Sequence, residues 1–508
     1  MEKTNNRKRE KNPVFYISLI IVFAIVLWGI LFQQSFATAA NSAFNFLISN
    51  FGWFYLITMS IFVIFAIWIA FSKYGKIKLG KDHEKPEFST ISWFAMLFSA
   101  GMGVGLVFWG VAEPLNHFVN PLGMEGGTAA AAEFAIEKSF FHWGLHPWAN
   151  YSILALALAY MQFRKDRPGL MSSILVPLIG EKRANGGLGK FVDILAIFAT
   201  VGGVATSLGL ATLQMTSGLN YLFGVPETNL VRLLVIGIIT LLFMISAITG
   251  IDKGIKFLSN CNITLGAVLM IIGIIVGPTV MIINNLTNGV GMYFSSLVRE
   301  SFRISSDSWF GSWTIFYWAW WIAWAPFVST FIARISRGRT IKEFVGGVLM
   351  APTLASLAWF AIFGTLGINT GTEVAGNAIK STSTAVFVVM ENYPIGSIIS
   401  FITVILLSTF FITSADSATF VLGMMSSKGD LNPSTQRKVT WGLIQSGLAI
   451  ALIMAGGLEM LQTASIVSAF PFAFVMLASM VSVVKALRQE DLAQIKEHYH
   501  EQEDMNVY

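Results

Sequence analysis

The sequence predicts an all-α integral membrane protein with twelve transmembrane helices, and two observations lead to this fold class. Only 12% of the 508 residues are Asp, Glu, Lys or Arg, while 55% are hydrophobic; soluble domains average about 25% charged residues. So few charges cannot cover the surface of a soluble protein of this length, which excludes the soluble, disordered and nucleic-acid-binding classes. The apolar residues also gather into runs of about 18 to 30, the length that a helix needs to cross roughly 30 Å of hydrocarbon.

Twelve such runs succeed one another along the chain. The first is too long for a signal peptide, and no small-residue cleavage site follows it before the second run, so we interpret it as a membrane helix. The predicted spans are 14–32, 52–71, 92–112, 138–161, 191–217, 231–249, 255–283, 309–333, 344–368, 394–424, 439–456 and 459–484.

The positions of the basic residues predict that both termini are cytoplasmic. With the N-terminal tail inside, alternation through twelve spans puts all but five of the 33 Lys and Arg residues on the cytoplasmic side, as the positive-inside rule requires. The net charge of +5 is therefore a topology signal, and we expect a lipid bilayer, not a nucleic acid, as the surrounding partner. The five exceptions are Lys138, Arg232, Arg299, Arg303 and Lys380.

The third span contains three glycines, Gly101, Gly103 and Gly105, in the sequence SAGMGVG. Each glycine destabilises a helix by about 1 kcal/mol relative to alanine. Close helix packing explains the spacing of Gly101 and Gly105. A discontinuous helix, with free amides facing an anionic group and free carbonyls facing an ion, explains the glycines equally well.

The eighth span contains Pro326 at a corresponding depth, and a proline leaves a backbone carbonyl without its helical partner. Two interrupted helices five spans apart are typical of a transporter with two inverted five-helix repeats. We therefore predict that helices 3–7 and 8–12 form two repeats. The predicted segments are a cytoplasmic N-tail (1–13), two extra helices (14–90), the first repeat (91–283), an external linker that carries short helices (284–308), the second repeat (309–484) and a cytoplasmic C-tail (485–508).

Aromatic residues are concentrated in the eighth and fourth spans. Five of the 15 tryptophans stand within SWTIFYWAWWIAWAPF of the eighth span, and the fourth span contains WGLHPWANY. Packing explains any one of these rings, but aromatic faces from two helices can together form a cage for a quaternary ammonium group, which offers no hydrogen-bond donor. The residues are Trp313, Trp318, Trp320, Trp321 and Trp324 of the eighth span and Trp143, Trp148 and Tyr151 of the fourth.

The tenth span carries a carboxylate among hydroxyl groups, in the sequence FITSADSAT. Asp416 in a membrane helix costs at least about 2.5 kcal/mol unless it is paired, protonated or hydrated. Thr413, Ser414 and Ser417 offer hard oxygen ligands that suit sodium better than a transition metal. The alternative is that the hydroxyls bond to their own helix and Asp416 braces a neighbouring helix.

No constellation in the sequence predicts an enzyme or a bound cofactor. Neither a HExxH metal motif nor a G-x-S-x-G elbow occurs, and the single cysteine, Cys261, excludes a disulfide framework and a cysteine-rich metal site. Sodium is expected only as a coupling ion.

The motifs GMGVG, HWGLHPWANY, SWTIFYWAWW, WAPF, ARISRGRT and TSADSAT resemble, in order, those of the betaine/carnitine/choline transporters. The likeness covers nearly the whole chain and is greatest to the sodium-coupled glycine betaine transporters of Gram-positive bacteria. It implies a sodium-symporter-like core, a homotrimer, a bacterial plasma membrane and a trimethylammonium zwitterion as substrate, imported for osmoprotection.

The resemblance also implies roles for individual residues. It implies a trimethylammonium cage of Trp143, Trp148, Tyr151 and Trp321, and a path nearer the cytoplasm lined by Trp320, Trp321 and Trp324. It implies one sodium site at Ser99, Met102, Phe410, Thr413 and Ser414, and a second at Phe327 with hydroxyls of the fifth helix, for which Thr200 and Thr206 are candidates.

One position bears on the choice of substrate. Proton-coupled choline transporters of this family tend to have Asp at the last position of the glycine stretch, where this chain has Gly105. We expect betaine, whose carboxylate can meet the free amides of a broken helix. Choline, carnitine and proton-coupled uptake are the alternatives.

The short acidic C-tail is expected to be solvated and is a poor candidate for osmotic gating.

Overall fold

The structure, a computed structural model, describes residues 12–101, 103–249, 252–305 and 307–505. It is helical throughout, and among the described residues the only β-type pairing is one isolated antiparallel bridge between Lys78 and Thr340. The helices are α1 (Pro13–Leu31), α2 (Gln33–Phe71), α3 (Thr90–Gly101), α4 (Val104–Val119), α5 (Ala129–Trp143), α6 (Leu145–Ala159), α7 (Met171–Ile174), α8 (Val176–Ile179), α9 (Glu181–Ala184), α10 (Gly187–Phe223), α11 (Asn229–Thr249), α12 (Asp252–Val276), α13 (Thr279–Ser301), α14 (Ser308–Phe310), α15 (Phe316–Ile335), α16 (Ile341–Asn369), α17 (Gly371–Ala378), α18 (Ala385–Met390), α19 (Gly396–Met425), α20 (Thr435–Gly456) and α21 (Leu458–Met505).

Ten helices of the described chain are long and apolar enough to cross a membrane. The third and fourth predicted spans are absent from these ten because each is divided into two shorter helices, α3 with α4 and α5 with α6. The centre of the bundle is formed where α15 packs against α6, α10 and α21, and where α4 packs against α5, α10, α16 and α19.

The glycine stretch of the third span does interrupt its helix. Helix α3 ends at Gly101 and α4 begins at Val104, with Gly103 between them in an extended conformation (φ −143°, ψ −177°). Amide groups at the start of α4 have no helical carbonyl to bond, as at every helix N-terminus. The break therefore exposes backbone donors in the middle of the apolar bundle.

The predicted interruption at Pro326 is wrong. Helix α15 continues through Pro326 from Phe316 to Ile335, and the hydroxyl of Thr330 donates to the Pro326 carbonyl at 2.8 Å. A proline removes one helical hydrogen bond, but the helix packed on every side keeps its dihedral angles. The irregularity of this span lies earlier, in a π-helical turn at Gly311–Ile315.

The second true break lies in the fourth span, at Gly144. Helices α5 and α6 meet there, and Gly144 has φ −85° and ψ −129°. The amide of Leu145, left without a helical partner, donates to the hydroxyl of Tyr293 at 2.9 Å. A Cβ at Gly144 would lie 2.5 Å from that hydroxyl, so only glycine fits at this junction.

The segments outside the spans are more helical than expected. Much of the predicted external linker is the single helix α13, and α21 continues to Met505, so the described part of the C-tail is helical. Its residues are mostly good helix formers. Glu490 of α21 forms ion pairs with Arg164 and Lys165, which fasten this helix to the connection after α6.

Candidate substrate and ion sites

Four aromatic rings that the sequence assigns to a cage form a continuous contact. The centroids of Trp148 and Tyr151 lie 5.6 Å apart, those of Tyr151 and Trp321 lie 6.4 Å apart, and those of Trp321 and Trp143 lie 4.8 Å apart. All three pairs meet edge to face, and each ring is at most 7% exposed. The structure therefore brings these four residues, from α5, α6 and α15, into one desolvated cluster.

Hydrogen bonds to the backbone fix the central ring, Trp321. Its indole nitrogen donates to the His142 carbonyl at 3.1 Å, and the Asn150 amide donates to the Trp321 carbonyl at 2.8 Å. The hydroxyl of Ser329 on α15 donates to the Tyr151 carbonyl at 3.0 Å. Helices α5, α6 and α15 are thus tied together around the rings, which restricts the rotamers of the cage.

Trp320 and Trp324 occupy two different environments. Trp320 stacks on Trp321 with centroids 5.0 Å apart and an interplanar angle of 15°. Trp324 is half-buried, and its indole nitrogen donates to the Gly203 carbonyl of α10 at 2.8 Å. The ring of Trp320 is therefore part of the wall behind the cage, whereas Trp324 stands between the cage and a wider cavity.

The break between α3 and α4 borders the cage. Gly103 and Gly105 line a cavity of about 40 Å³ together with Trp143, Tyr151 and Trp321. A Cβ at Gly105 would lie 2.4 Å from the ring of Trp320 and 3.1 Å from that of Trp143, whereas a Cβ at Gly103 would meet nothing within 4 Å. Gly105 is thus required for the close approach of these rings, and the backbone of the break faces the same space.

A wider cavity of about 470 Å³ adjoins the cage and is also lined by Gly103 and Trp324. Three residues assigned to sodium from the sequence, Thr413, Ser414 and Phe410, lie on its wall. Thr330, Arg334 and Phe420 line both this cavity and a further one that reaches the α6–α7 connection, so the two cavities are neighbours.

The predicted first sodium site is assembled in part. The Thr413 hydroxyl donates to the carbonyls of Thr409 and Phe410, at 3.0 and 3.2 Å, and accepts from the Asn262 amide at 3.1 Å. Ser99 lies at the end of α3, and Met102 lies outside the described residues. The hydroxyl of Thr413 and the carbonyl of Phe410 are thus adjacent oxygens on a cavity wall that also includes the helix break.

The residues predicted for the second sodium site make separate contacts. Thr200 bonds to the Ala196 carbonyl of its own helix at 2.8 Å. The hydroxyl of Thr206 donates to the Leu461 carbonyl at 2.8 Å and accepts from Ser465, so its hydrogen bonds connect α10 to α21. Phe327 lines the wide cavity and packs on Trp324 instead. The hydrogen bonds of the two threonines thus involve neither Phe327 nor its cavity.

Asp416 lines the same wide cavity as the sodium candidates and is 6% exposed. Lys438 lies on the cavity wall with it and donates to the Ala247 carbonyl. The two residues therefore share a cavity wall, and Lys438 is an available electrostatic partner for the buried carboxylate. This position is compatible with the interpretation in which Asp416 braces a neighbouring helix.

Sequence reasoning missed Glu113, which lies at the centre of a buried hydrogen-bond cluster behind the cage. Trp143 Nε1 lies 2.8 Å and the Tyr317 hydroxyl 2.5 Å from Glu113 Oε2, while His142 Nδ1 lies 2.6 Å and His117 Nε2 3.3 Å from Oε1. All five side chains are at most 5% exposed. A carboxylate directly after the predicted third span (92–112) was the signal that could have identified it, since an intramembrane acid is by default a candidate functional group.

Comparisons with known proteins find similar sequences over nearly the whole chain. The profile of the betaine/carnitine/choline family transporters (BCCT) matches residues 13–492. The glycine betaine transporter OpuD of Bacillus subtilis is 50% identical over 94% of this chain and 95% of its own length. A probable glycine betaine transporter of Desulfitobacterium hafniense is 46% identical over 95% and 98%, and an ectoine/hydroxyectoine transporter of Virgibacillus pantothenticus is 44% identical over 95% and 97%.

A solved structure of a Na⁺-coupled sialic acid symporter also aligns with the chain. It is 12% identical over 86% of this chain and 83% of its own, with a TM-score of 0.41.

Proposed function

This chain belongs to the betaine/carnitine/choline transporter family, and on that premise we propose that it imports glycine betaine, or a related trimethylammonium solute, together with sodium. It is a membrane transporter and not an enzyme. The observation that carries the proposal is the buried contact of Trp143, Trp148, Tyr151 and Trp321 beside the broken third span.

The chemistry of the cage favours a quaternary ammonium group. Such a group spreads its charge over methyl groups and has no donor to satisfy, so aromatic faces hold it better than a carboxylate-lined polar pocket would. The helix break next to the cage offers backbone amides at the start of α4, a suitable partner for the carboxylate of a zwitterion. Betaine has both groups, whereas choline lacks the carboxylate.

Ectoine is the second candidate substrate, because one relative at 44% identity is named an ectoine/hydroxyectoine transporter. Its cation is a planar delocalised amidinium whose N–H groups donate hydrogen bonds. Within the cage the only polar groups of the four rings are three indole N–H groups and a hydroxyl. The predominantly apolar cage fits a trimethylammonium group better.

We infer twelve transmembrane helices by counting each divided pair, α3 with α4 and α5 with α6, as one span and adding the ten long helices. In this proposal spans 3–7 and 8–12 are inverted repeats, the two N-terminal helices stand outside them, and both termini are cytoplasmic in a bacterial plasma membrane. The proposed segment boundaries remain 1–13, 14–90, 91–283, 284–308, 309–484 and 485–508. A homotrimer is the proposed assembly.

For sodium we propose a site between the helix break and α19. The hydroxyls of Thr413 and Ser414 and the Phe410 carbonyl supply hard oxygen ligands, and the backbone at Ser99 and Met102 completes the set. The position of Thr413 on the same cavity wall as Gly103 supports this arrangement. A second site near Phe327, with Thr200 or Thr206, would require those hydroxyls to leave their present partners.

Coupling then follows from charge and geometry. A sodium ion held between the break and α19 would order the free amides against the cage, so that the ion and the substrate stabilise the same conformation. Betaine is neutral overall, so each co-transported sodium ion moves one net charge, worth about 2.3 kcal/mol per 100 mV of membrane potential. Two ions would give twice that driving force.

Uptake of radiolabelled betaine into proteoliposomes tests the proposal. Choline, carnitine, proline and ectoine serve as unlabelled competitors, and a valinomycin-set potassium potential with sodium present or absent separates the coupling ions. We expect saturable betaine uptake that requires external sodium and is driven by a negative interior. Uptake sustained by a proton gradient alone would exclude sodium coupling, and accumulation of ectoine but not betaine would reassign the substrate.

A further inference from the structure

We propose that Glu113 is the positioning residue of the cage, whose fixed negative charge holds Trp143 and Tyr317 in place and makes the cage selective for a cation. This inference rests on the proposed function, because it explains how the same aromatic site tells a trimethylammonium group from a neutral group of equal shape.

The direct contacts show what Glu113 holds. Its Oε2 accepts from the indole nitrogen of Trp143 at 2.8 Å and from the hydroxyl of Tyr317 at 2.5 Å. Tyr317 in turn stacks on Trp321, with centroids 5.9 Å apart and an interplanar angle of 22°. One carboxylate oxygen therefore anchors a cage ring from α5 and the ring that backs Trp321 on α15.

The second carboxylate oxygen reaches the remaining part of the cluster. Glu113 Oε1 lies 2.6 Å from His142 Nδ1, and His142 Nε2 lies 3.0 Å from the hydroxyl of Thr314. The backbone carbonyl of His142 accepts the indole N–H of Trp321. The orientation of Trp321 therefore also depends on the residue that Glu113 holds.

The partners of Glu113 indicate that it acts as an acceptor at both oxygens. An indole nitrogen can only donate, and a tyrosine hydroxyl and two histidine N–H groups can all donate to a carboxylate. Lys138, also on α5, is paired with Glu300 on α13. Among the described residues no lysine or arginine forms an ion pair with Glu113, so with neutral imidazoles its negative charge is solvated by hydrogen-bond dipoles.

Burial makes this charge effective. Glu113 and both histidines have no exposed surface, and in such a low-dielectric region a charge acts over several ångströms with little screening. A cation against the face of Trp143 would be attracted by the charge at the N–H edge of that ring, whereas a neutral group of the same shape would gain only the packing contacts. Hydrogen bonds alone would position the rings without providing this discrimination.

The test compares a cation with its neutral isostere. In 3,3-dimethylbutanoate a tert-butyl group replaces the trimethylammonium group of betaine, and the carboxylate is kept. In proteoliposomes we would measure the KM and Vmax of betaine uptake, and the inhibition constants of unlabelled betaine and 3,3-dimethylbutanoate, for wild type, Glu113→Gln and Glu113→Asp. Asp193→Asn is the matched control, because Asp193 is also a buried acid of a membrane helix but bonds to Ser172.

We expect Glu113→Gln to raise the KM for betaine at least ten-fold and to reduce the preference for betaine over the isostere by a similar factor. Glu113→Asp should retain that preference while raising KM less. Asp193→Asn should leave the preference unchanged. The inference would be overturned, and Glu113 would be a structural residue, if Glu113→Gln kept the wild-type preference for betaine over the isostere. It would also be overturned if the substitution lowered only the Vmax of betaine uptake.

Two further outcomes, a variant that does not reach the membrane and a wild type that does not handle betaine, have their own interpretations. If Glu113→Gln does not reach the membrane, Glu113→Asp decides, because displacing the charge by one methylene should raise KM, and an unchanged KM would overturn the inference. If wild-type protein neither binds nor transports betaine, the proposed function itself fails, and the inference fails with it.

Discussion

The indole of Trp143 meets the face of Trp321 with ring centroids 4.8 Å apart and an interplanar angle of 77°. The two residues belong to different helices, α5 and α15, and to different predicted repeats. Their contact brings together the ends of two segments that are 178 residues apart in the sequence. Several consequences of this contact can be measured.

Removing either ring should impair substrate binding more than folding. Trp321→Ala and Trp143→Ala each delete one desolvated aromatic face, worth about 2 kcal/mol of cation-π attraction, and should raise the KM for betaine about 30-fold or abolish saturable uptake. Uptake kinetics with quantified membrane protein check this. The control is Trp53→Phe, because Trp53 is exposed on α2, and unchanged affinity in both cage variants would exclude the cage assignment.

A methyl group at Gly105 should close the cage. The added Cβ would lie 2.4 Å from the Trp320 ring, and overpacking of this kind typically costs about 1–3 kcal/mol. We expect Gly105→Ala to lower betaine uptake at least five-fold. Gly346→Ala is the matched control, because its Cβ would meet nothing within 4 Å on α16, and equal effects of the two substitutions would contradict the steric explanation.

Thr413→Val should weaken sodium binding selectively. The substitution removes a hydroxyl from the cavity wall, and loss of one hard oxygen ligand should raise the sodium concentration for half-maximal uptake several-fold, with a smaller effect on betaine KM at saturating sodium. Thr409→Val, one turn earlier on α19, provides the comparison, because the Thr409 hydroxyl also bonds to a carbonyl of its own helix but Thr409 does not line the cavity. A sodium dependence that stays at the wild-type value in Thr413→Val would remove Thr413 from the proposed site.

An ion pair between Glu84, in the connection from α2 to α3, and Arg337, in the connection from α15 to α16, predicts an effect of pH on stability. Arg337 holds Glu84 through two hydrogen bonds, of 3.0 and 2.6 Å, and these lower the pKa of Glu84 below its ordinary value. A lowered pKa means that the pair stabilises the fold fully above the ordinary Glu pKa and is lost as pH falls through the lowered one. Arg337 is 46% exposed and Glu84 17% exposed, so solvent screens the pair and its contribution is small, about 0–1 kcal/mol.

Hydrogen exchange can detect the loss of the Glu84–Arg337 ion pair at low pH. The amides of Leu79 and Gly338 bond across the two connections, and after correction for intrinsic rates their protection should fall at most about five-fold in acid. Glu84→Gln should lower the protection of the same amides to the same extent at neutral pH. Glu181→Gln, which breaks a pair with Arg167 elsewhere, should not, and full protection of Leu79 in Glu84→Gln would rule out the linkage.

The sequence was informative wherever composition or backbone chemistry acts locally. Runs of apolar residues predicted the long helices, and the glycines before Val104 predicted a break that the structure places between Gly101 and Val104. The same local reasoning was wrong at Pro326, because a helix buried against α6, α10 and α21 tolerates one lost hydrogen bond. It also missed the break at Gly144, whose cause is the distant hydroxyl of Tyr293.

In the candidate sites too, the sequence predicted some residues and missed others. Tryptophan clustering predicted an aromatic cage between the fourth and eighth spans, and the family resemblance implied its four members, whose rings touch in the structure. It could not identify Glu113, whose importance depends on Trp143 and Tyr317 converging on its carboxylate from two other helices. Nor could it separate Thr413, which faces a cavity, from Thr206, which connects α10 to α21.

By itself, then, the sequence determined that this chain lies in a membrane and that its glycines and aromatic rings concentrate in the third, fourth and eighth spans, because these properties depend on residue type and local spacing. Only the tertiary structure decided which rings touch, which hydroxyls face a cavity and which buried carboxylate lies behind the cage. Those relationships join residues far apart in the chain, and the packing of whole helices against one another sets them.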